Sequence, residues 1–184
     1  MRIISGEYGG RTIRALKGMD VRPTTDKVRG AIFNMIGGGI IDARVLDLFS
    51  GSGAMGIEAL SRGAREVVFV DCDTRCVNII TENLRSIGLS ANDERTDVVK
   101  SDAVKSLGKF ENKIFDIVVA DPPYGKDLAR SLLSDLEGFS IIRNSSIVFI
   151  EHSRRDTIEE PPAWVKVQEK KYGDTIVSVY KRKS

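Results

Sequence analysis

The chain has 184 residues, about the length of one domain and enough to bury a core without metal or disulfide staples. Hydrophobic residues make up 41% and charged residues 29%, which excludes collagen-like, toxin-like and disordered chains. The net charge of +2 is uneven: residues 1–30 carry seven Lys/Arg against three Asp/Glu and residues 152–184 eight against five, while the middle carries thirteen against eighteen. Two basic ends flanking an acidic body suit a phosphate-rich partner. No apolar run approaches the roughly 20 residues that cross a bilayer. The opening MRIISGEYGG has no apolar signal region, so a cytoplasmic protein without membrane contact is expected.

In chain order, Arg2–Ser5 and Arg11–Leu16 read as a small hairpin around Gly6, Gly9 and Gly10. Thr25 or Asp26 then caps a helix whose buried face holds Val28, Ala31, Ile32, Met35 and Ile36, and Gly37-Gly38-Gly39 stops it. From residue 44 strands and helices alternate. Strands are predicted at Val45–Phe49, Glu66–Val70, Val98–Lys100, Phe115–Ala120 and Ser146–Glu151. Helices are predicted at Ala54–Ser61, Thr74–Ile87, Ala103–Leu107 and Leu128–Leu136. This rhythm implies a parallel sheet with right-handed crossovers and helices on both faces. Val165–Tyr172 and Thr175–Arg182 flank Gly173-Asp174, a hairpin signal. The expected fold is an α/β Rossmann-like, seven-stranded, mostly parallel sheet ending in an antiparallel hairpin. A single domain over 1–184 is expected, with residues 1–40 as an extension and 41–184 as the core.

Residues 47–56, DLFSGSGAMG, place Gly51, Gly53 and Gly56 in a G-x-G-x-x-G pattern between a strand and a helix. Such glycines permit a tight turn and a close approach of backbone to ligand. Asp71 follows Gly51 by twenty residues at the end of the next strand, where a carboxylate can accept from ribose hydroxyls. Asp102 ends the third strand. Ligands of open sheets bind at the carboxyl ends of the strands, so Asp47, Gly51, Gly53, Asp71 and Asp102 should share one nucleoside-sized crevice. Asp47 stands four residues before Gly51, where it would repel the pyrophosphate of NAD. A sulfonium and an amino group without phosphate, as in S-adenosylmethionine, fit it better.

Phe115–Ala120 leads directly into Asp121-Pro122-Pro123-Tyr124, seventy residues after Gly51. These residue types suit chemistry on an exocyclic amine, whose lone pair is delocalised into its base. Asp121 can accept one N–H and the Pro122 carbonyl the other. Each proline fixes its own φ and stiffens the turn. Tyr124 offers a ring on which a flipped base can stack. Cys72 and Cys76 are read as reduced thiols. They and His152 make a poor metal set, and neither cysteine is needed as a nucleophile.

These residues resemble the class I S-adenosylmethionine-dependent methyltransferases, and more narrowly the RsmD family. That family methylates the N2 amine of guanine 966 in bacterial 16S ribosomal RNA. The match is carried by Arg22–Arg29 (RPTTDKVR), Leu46–Gly63 (LDLFSGSGAMGIEALSRG) and Asp116–Tyr124 (DIVVADPPY), and extends over nearly the whole chain. The resemblance implies that Asp47, Gly51 and Gly53 hold the methionine end of the cofactor, with Phe49, Ser50 and Ser52 beside them. Asp71 would hold the ribose and Asp102 the adenine, with Cys72 and Ala103 also among the cofactor-binding residues. Asp121, Pro122, Pro123 and Tyr124 would hold the target base. The implied products are S-adenosylhomocysteine and N2-methylguanine, without metal.

The core leaves little chain for a target-recognition region of the kind DNA amine methyltransferases carry. A shaped RNA is therefore expected as substrate; the resemblance implies 16S rRNA, in the small subunit or an assembly intermediate, with no obligate protein subunit. Arg11, Arg14, Arg22, Lys27 and Arg29 are expected to touch its phosphates. Alternatives are the same chemistry on adenine N6 or another amine, and an NAD-dependent oxidoreductase.

Overall fold

The computed structural model describes residues 1–16, 25–90, 93–123 and 128–183. Among them seven strands form one sheet: β1 (Arg44–Leu48), β2 (Glu66–Asp71), β3 (Thr96–Lys100), β4 (Phe115–Ala120), β5 (Ile142–Ser153), β6 (Trp164–Tyr172) and β7 (Thr175–Arg182). Their order is β3-β2-β1-β4-β5-β7-β6. The first five are parallel, and β7 inserts antiparallel between β5 and β6. The β6–β7 turn is the two-residue Gly173-Asp174, with Tyr172 opposite Thr175 and Gly173 at φ 65°. The helices are α1 (Asp26–Ile36), α2 (Ala54–Ser61), α3 (Thr74–Ser86), α4 (Ala103–Leu107) and α5 (Leu128–Glu137). None of the described helices is long and apolar enough to cross a membrane.

The central strands are apolar on both faces, because helices cover both. Side chains alternate at period two. Val45, Val67, Phe69, Ile117, Val119 and Phe149 meet α1, α2 and α3 on one face. Leu46, Leu48, Val68, Val70, Val118 and Ala120 meet α4 and α5 on the other. The Thr25 hydroxyl caps α1 by accepting from Val28 N at 3.3 Å. Asp73 caps α3 by accepting from Arg75 N at 2.8 Å.

Three predicted elements differ in detail. The glycine triplet does not simply end α1 but continues as a short 3-10 turn, Gly37–Ile40. β5 begins at Ile142, four residues before the predicted start, where Phe115 pairs with Ile142 across a register shift. The N-terminal hairpin forms one isolated bridge, Arg2 to Thr12, rather than two regular strands, and its arms are tied by Ile3 N to Arg11 O and Ile13 N to Met1 O, each at 3.0 Å. Backbone groups nearer its tip are held by α2. The carboxylate of Glu58 on α2 accepts from Ile4 N at 2.7 Å and Ser5 N at 3.1 Å. Ser61 Oγ accepts from Tyr8 N at 3.0 Å, and Glu7 N donates to Ser61 O at 2.7 Å.

Glu58 is fully buried and is matched by Arg62 Nε at 2.7 Å and by Arg29 Nε at 3.6 Å. A buried charge of this kind is costly unless paired. Replacing Glu58 by alanine removes the counter-charge of buried Arg29 and the acceptor for two backbone N–H groups. Urea unfolding is expected to show a loss of about 3–5 kcal/mol. A loss under about 1 kcal/mol would mean that apolar packing alone holds the hairpin on α2.

Candidate functional site

The sheet order reverses between β1 and β4, and the carboxyl ends of β1, β2 and β4 lie side by side there. Leu48 is level with Val70 on one neighbour and with Ala120 on the other. The next residues, Phe49, Asp71 and Asp121, therefore share one edge. This is the position where open sheets of this kind bind ligands.

Phe49 turns the chain out of β1 at φ 59°, a conformation that a bulky residue adopts only where its surroundings enforce it. Ser50 makes that turn rigid. Its buried hydroxyl lies 2.6 Å from Asp47 O and accepts from Val70 N at 2.9 Å. Gly51 N donates to Asp71 Oδ2 at 2.9 Å, and Asp73 N donates to Asp71 Oδ1 at 2.9 Å. Gly53 precedes α2 at φ 77°, and a Cβ there would sit 3.0 Å from Ile80. At Gly56 a Cβ would stand 2.2 Å from the Phe69 ring, so the third glycine is required by the packing of α2 on β2.

Asp47 is buried, and its Oδ2 accepts from Gly56 N at 2.9 Å. Burial pushes its carboxyl up to about 8; the Gly56 N–H opposes the rise, and the charges of Asp121 and Asp71 add to it. Three carboxyl groups thus converge, which favours a ligand that brings positive charge. Asp102 is exposed and caps α4 by accepting from Lys105 N at 3.0 Å. Ser101 N donates to Asp71 O at 3.0 Å, which brings Asp102 beside the same edge, with Ala103 buried behind it. Asp121 follows β4 with its N–H toward Leu48 O at 3.4 Å. Pro122 is buried and Pro123 exposed, while Tyr124 lies outside the described residues.

Cys72 is exposed beside Asp71 and Cys76 is buried. Burial and the Asp71 charge push the Cys76 thiol up to about 12, which makes it unreactive. His152 is buried with Nε2 3.0 Å from Ser178 Oγ, and burial lowers its pKa. Among the described residues no three His, Cys, Asp or Glu side chains are grouped to hold a metal ion.

The cations expected to meet phosphate divide. Arg14 is 76% exposed and pairs with Glu82 at 2.8 Å. Arg11 is exposed, donates to Ile87 O at 3.1 Å and lies over the Tyr8 ring. Lys27 is exposed on the first turn of α1, and Arg22 lies outside the described residues. Arg29 is a correction: it is fully buried, donates to Arg2 O and Asp26, and stands beside Glu58. It locks the N-terminal loop to α1 and α2 and is sealed from any external phosphate. Two important side chains went unnoticed in the sequence, Glu58 and Asn83. Each is a polar residue on an otherwise apolar helix face, and that was the available signal.

The family model described as conserved hypothetical protein 95 matches residues 1–181. YlbH of Bacillus subtilis is 36% identical over 186 residues, covering all of both chains. The ribosomal RNA small subunit methyltransferase D of Escherichia coli is 32% identical, covering all of this chain and 91% of its own. The solved structure of yhhF from E. coli superimposes with a TM-score of 0.85 at 32% identity, over 100% of this chain and 98% of the other.

The raised Asp47 value fixes a pH dependence. The folded chain keeps a proton that the unfolded chain, with its carboxyl near 3.8, releases at lower pH. This contribution to stability is complete below the unfolded value and is lost as pH rises through the folded one. The slope is at most about 1.4 kcal/mol per pH unit. Asp47→Asn is neutral throughout and is expected to flatten that slope in urea unfolding measured across the window. An unaltered slope would assign it to other groups.

Proposed function

The chain belongs to the RsmD family, whose model covers residues 1–181, and from that premise we propose that it is an S-adenosylmethionine-dependent rRNA methyltransferase acting on the N2 amine of a guanine in 16S rRNA. The observation that carries this reading is the convergence of Asp47, Asp71 and Asp121 at the β1–β4 reversal. A nucleoside ligand bearing a sulfonium and an ammonium group, and no phosphate, balances that charge. A dinucleotide would add negative charge to it. The full-length similarity to a ribosomal RNA small subunit methyltransferase supports the substrate class.

In this reading Asp47, Gly51 and Gly53 hold the amino-acid end of the cofactor, Asp71 its ribose and Asp102 its adenine. When bound, S-adenosylmethionine supplies an electrophilic methyl group on a sulfonium. Asp121 accepts one N–H of the target amine and the Pro122 carbonyl accepts the other. Two acceptors held at a rigid strand end aim the nitrogen lone pair and stabilise the charge that develops on it. Direct transfer requires neither a metal nor a covalent enzyme intermediate. The N-terminal extension, proposed as residues 1–40 of a single domain, presents Arg11, Arg14 and Lys27 to phosphates.

The test is transfer of labelled methyl from S-adenosylmethionine to small ribosomal subunits lacking native methylation, with naked 16S RNA and duplex DNA alongside. Label on a single 16S guanine is expected, with kcat for Asp121→Ala lower by roughly 100- to 1,000-fold. Label on DNA alone would overturn the substrate. No label anywhere, despite cofactor binding, would point to protein amines.

Phosphate contact also predicts a steep fall of RNA affinity with salt. Removing Arg14 or Lys27 should flatten the slope of log K against log salt by about 0.7–0.9 each. A slope that neither substitution alters would exclude both from the interface.

A further inference from the structure

Asn83 lies on the buried face of α3 with Ile80 and Leu84 and is 1% exposed. Its amide makes three hydrogen bonds. Oδ1 accepts from Arg14 N at 2.7 Å, while Nδ2 donates to Arg14 O at 2.9 Å and to Ser52 O at 2.9 Å. Pairing with both the N–H and the C=O of one residue fixes the orientation of the amide, because a flip would set donor against donor.

Its two partners belong to different parts of the machinery. Ser52 stands in the glycine loop, two residues before α2. Arg14 stands on the N-terminal arm, and its guanidinium faces solvent with Glu82 as partner. Ile80, one turn earlier on the same helix, sits directly under Gly53. At the far end of α3, Ile87 O accepts from Arg11 and adds a second tie to the arm. α3 therefore supports the glycine loop and the arm together, and Asn83 is the side chain bonded to both. When either partner shifts, a buried amide hydrogen loses its acceptor, which strongly favours keeping both in place.

We propose that Asn83 is a positioning residue that couples cofactor binding at the glycine loop to order in the N-terminal arm. This rests on the reading of the crevice as the S-adenosylmethionine site. Ordering of the loop by the cofactor holds Ser52 O against Nδ2, and the same amide then holds the arm backbone at Arg14. Linkage is reciprocal, so RNA bound on the arm raises cofactor affinity by the same factor.

Hydrogen exchange reads this directly, since the Arg14 N–H is itself bonded to Asn83. The full chain is compared with and without S-adenosylhomocysteine, whose binding is established first by calorimetry. Exchange across residues 10–16 is expected to slow at least about fivefold on binding. Asn83→Asp keeps the acceptor for Arg14 N but turns a carboxylate oxygen toward two carbonyls. It should still bind S-adenosylhomocysteine while losing the slowing. Asn83→Leu removes the bonds without adding charge and replaces the first variant if that fails to fold. Ligand binding that leaves residues 10–16 unchanged in the unsubstituted protein would overturn the coupling. Slowing that persists in a folded variant would overturn the role of Asn83. No binding of S-adenosylhomocysteine at all would overturn the cofactor reading beneath it.

Discussion

The closeness of α2 to β2 is the constraint on which the other features depend. All eight residues of α2 are buried, because the helix is covered by the sheet on one side and by the N-terminal loop on the other. Only a residue without a side chain fits at Gly56, against Phe69 and Val67. That same approach brings Gly56 N to the Asp47 carboxyl and closes the turn between β1 and α2. On its outer side, α2 turns Glu58 and Ser61 toward the N-terminal loop and accepts from the backbone N–H groups of Ile4, Ser5 and Tyr8 near its tip. The arm is thus attached to the element that builds the crevice.

The electrostatics of the crevice follow from its position. Three strands end side by side in acids, which sets Asp47 within reach of the charges of Asp71 and Asp121. Burial, reinforced by those two charges, makes Asp47 hold its proton unusually well. In the proposed reading, a cationic ligand placed beside Asp47 would favour release of that proton. By contrast, the cations at the opposite, amino-terminal edge are matched. Arg44 pairs with Glu66 at 2.7 Å, and Arg143 pairs with Asp116. The groove there, about 580 Å³, is bordered by Arg44, Arg65 and Arg143 together with Asp42 and Asp116.

Burial separates the basic residues of the N-terminal region by role. Arg14 and Lys27 point outward, as a phosphate-binding surface requires. Arg29 has the same residue type and lies two positions from Lys27, yet it is fully buried against Glu58. Local charge density treats these side chains as equivalent. Helical phase distinguishes them: Arg29 follows Val28 and precedes Ile32 and Phe33 on the buried face of α1.

The sequence by itself determined the alternation of strands and helices, the antiparallel ending, the glycine turn and the acids at three strand ends. Each of these is a local property: side-chain period, turn chemistry or proximity along the chain. The strand order, with β7 between β5 and β6, was decided by the tertiary structure, because alternation and a final hairpin leave the lateral order of the strands open. Only the tertiary structure decided the fate of isolated polar residues. Glu58, Asn83 and Arg29 acquire their partners 53, 69 and 27 residues away, at Ser5, Arg14 and Arg2. No local period encodes such pairings, because they arise where elements distant in sequence pack together and each buried polar group must find a partner.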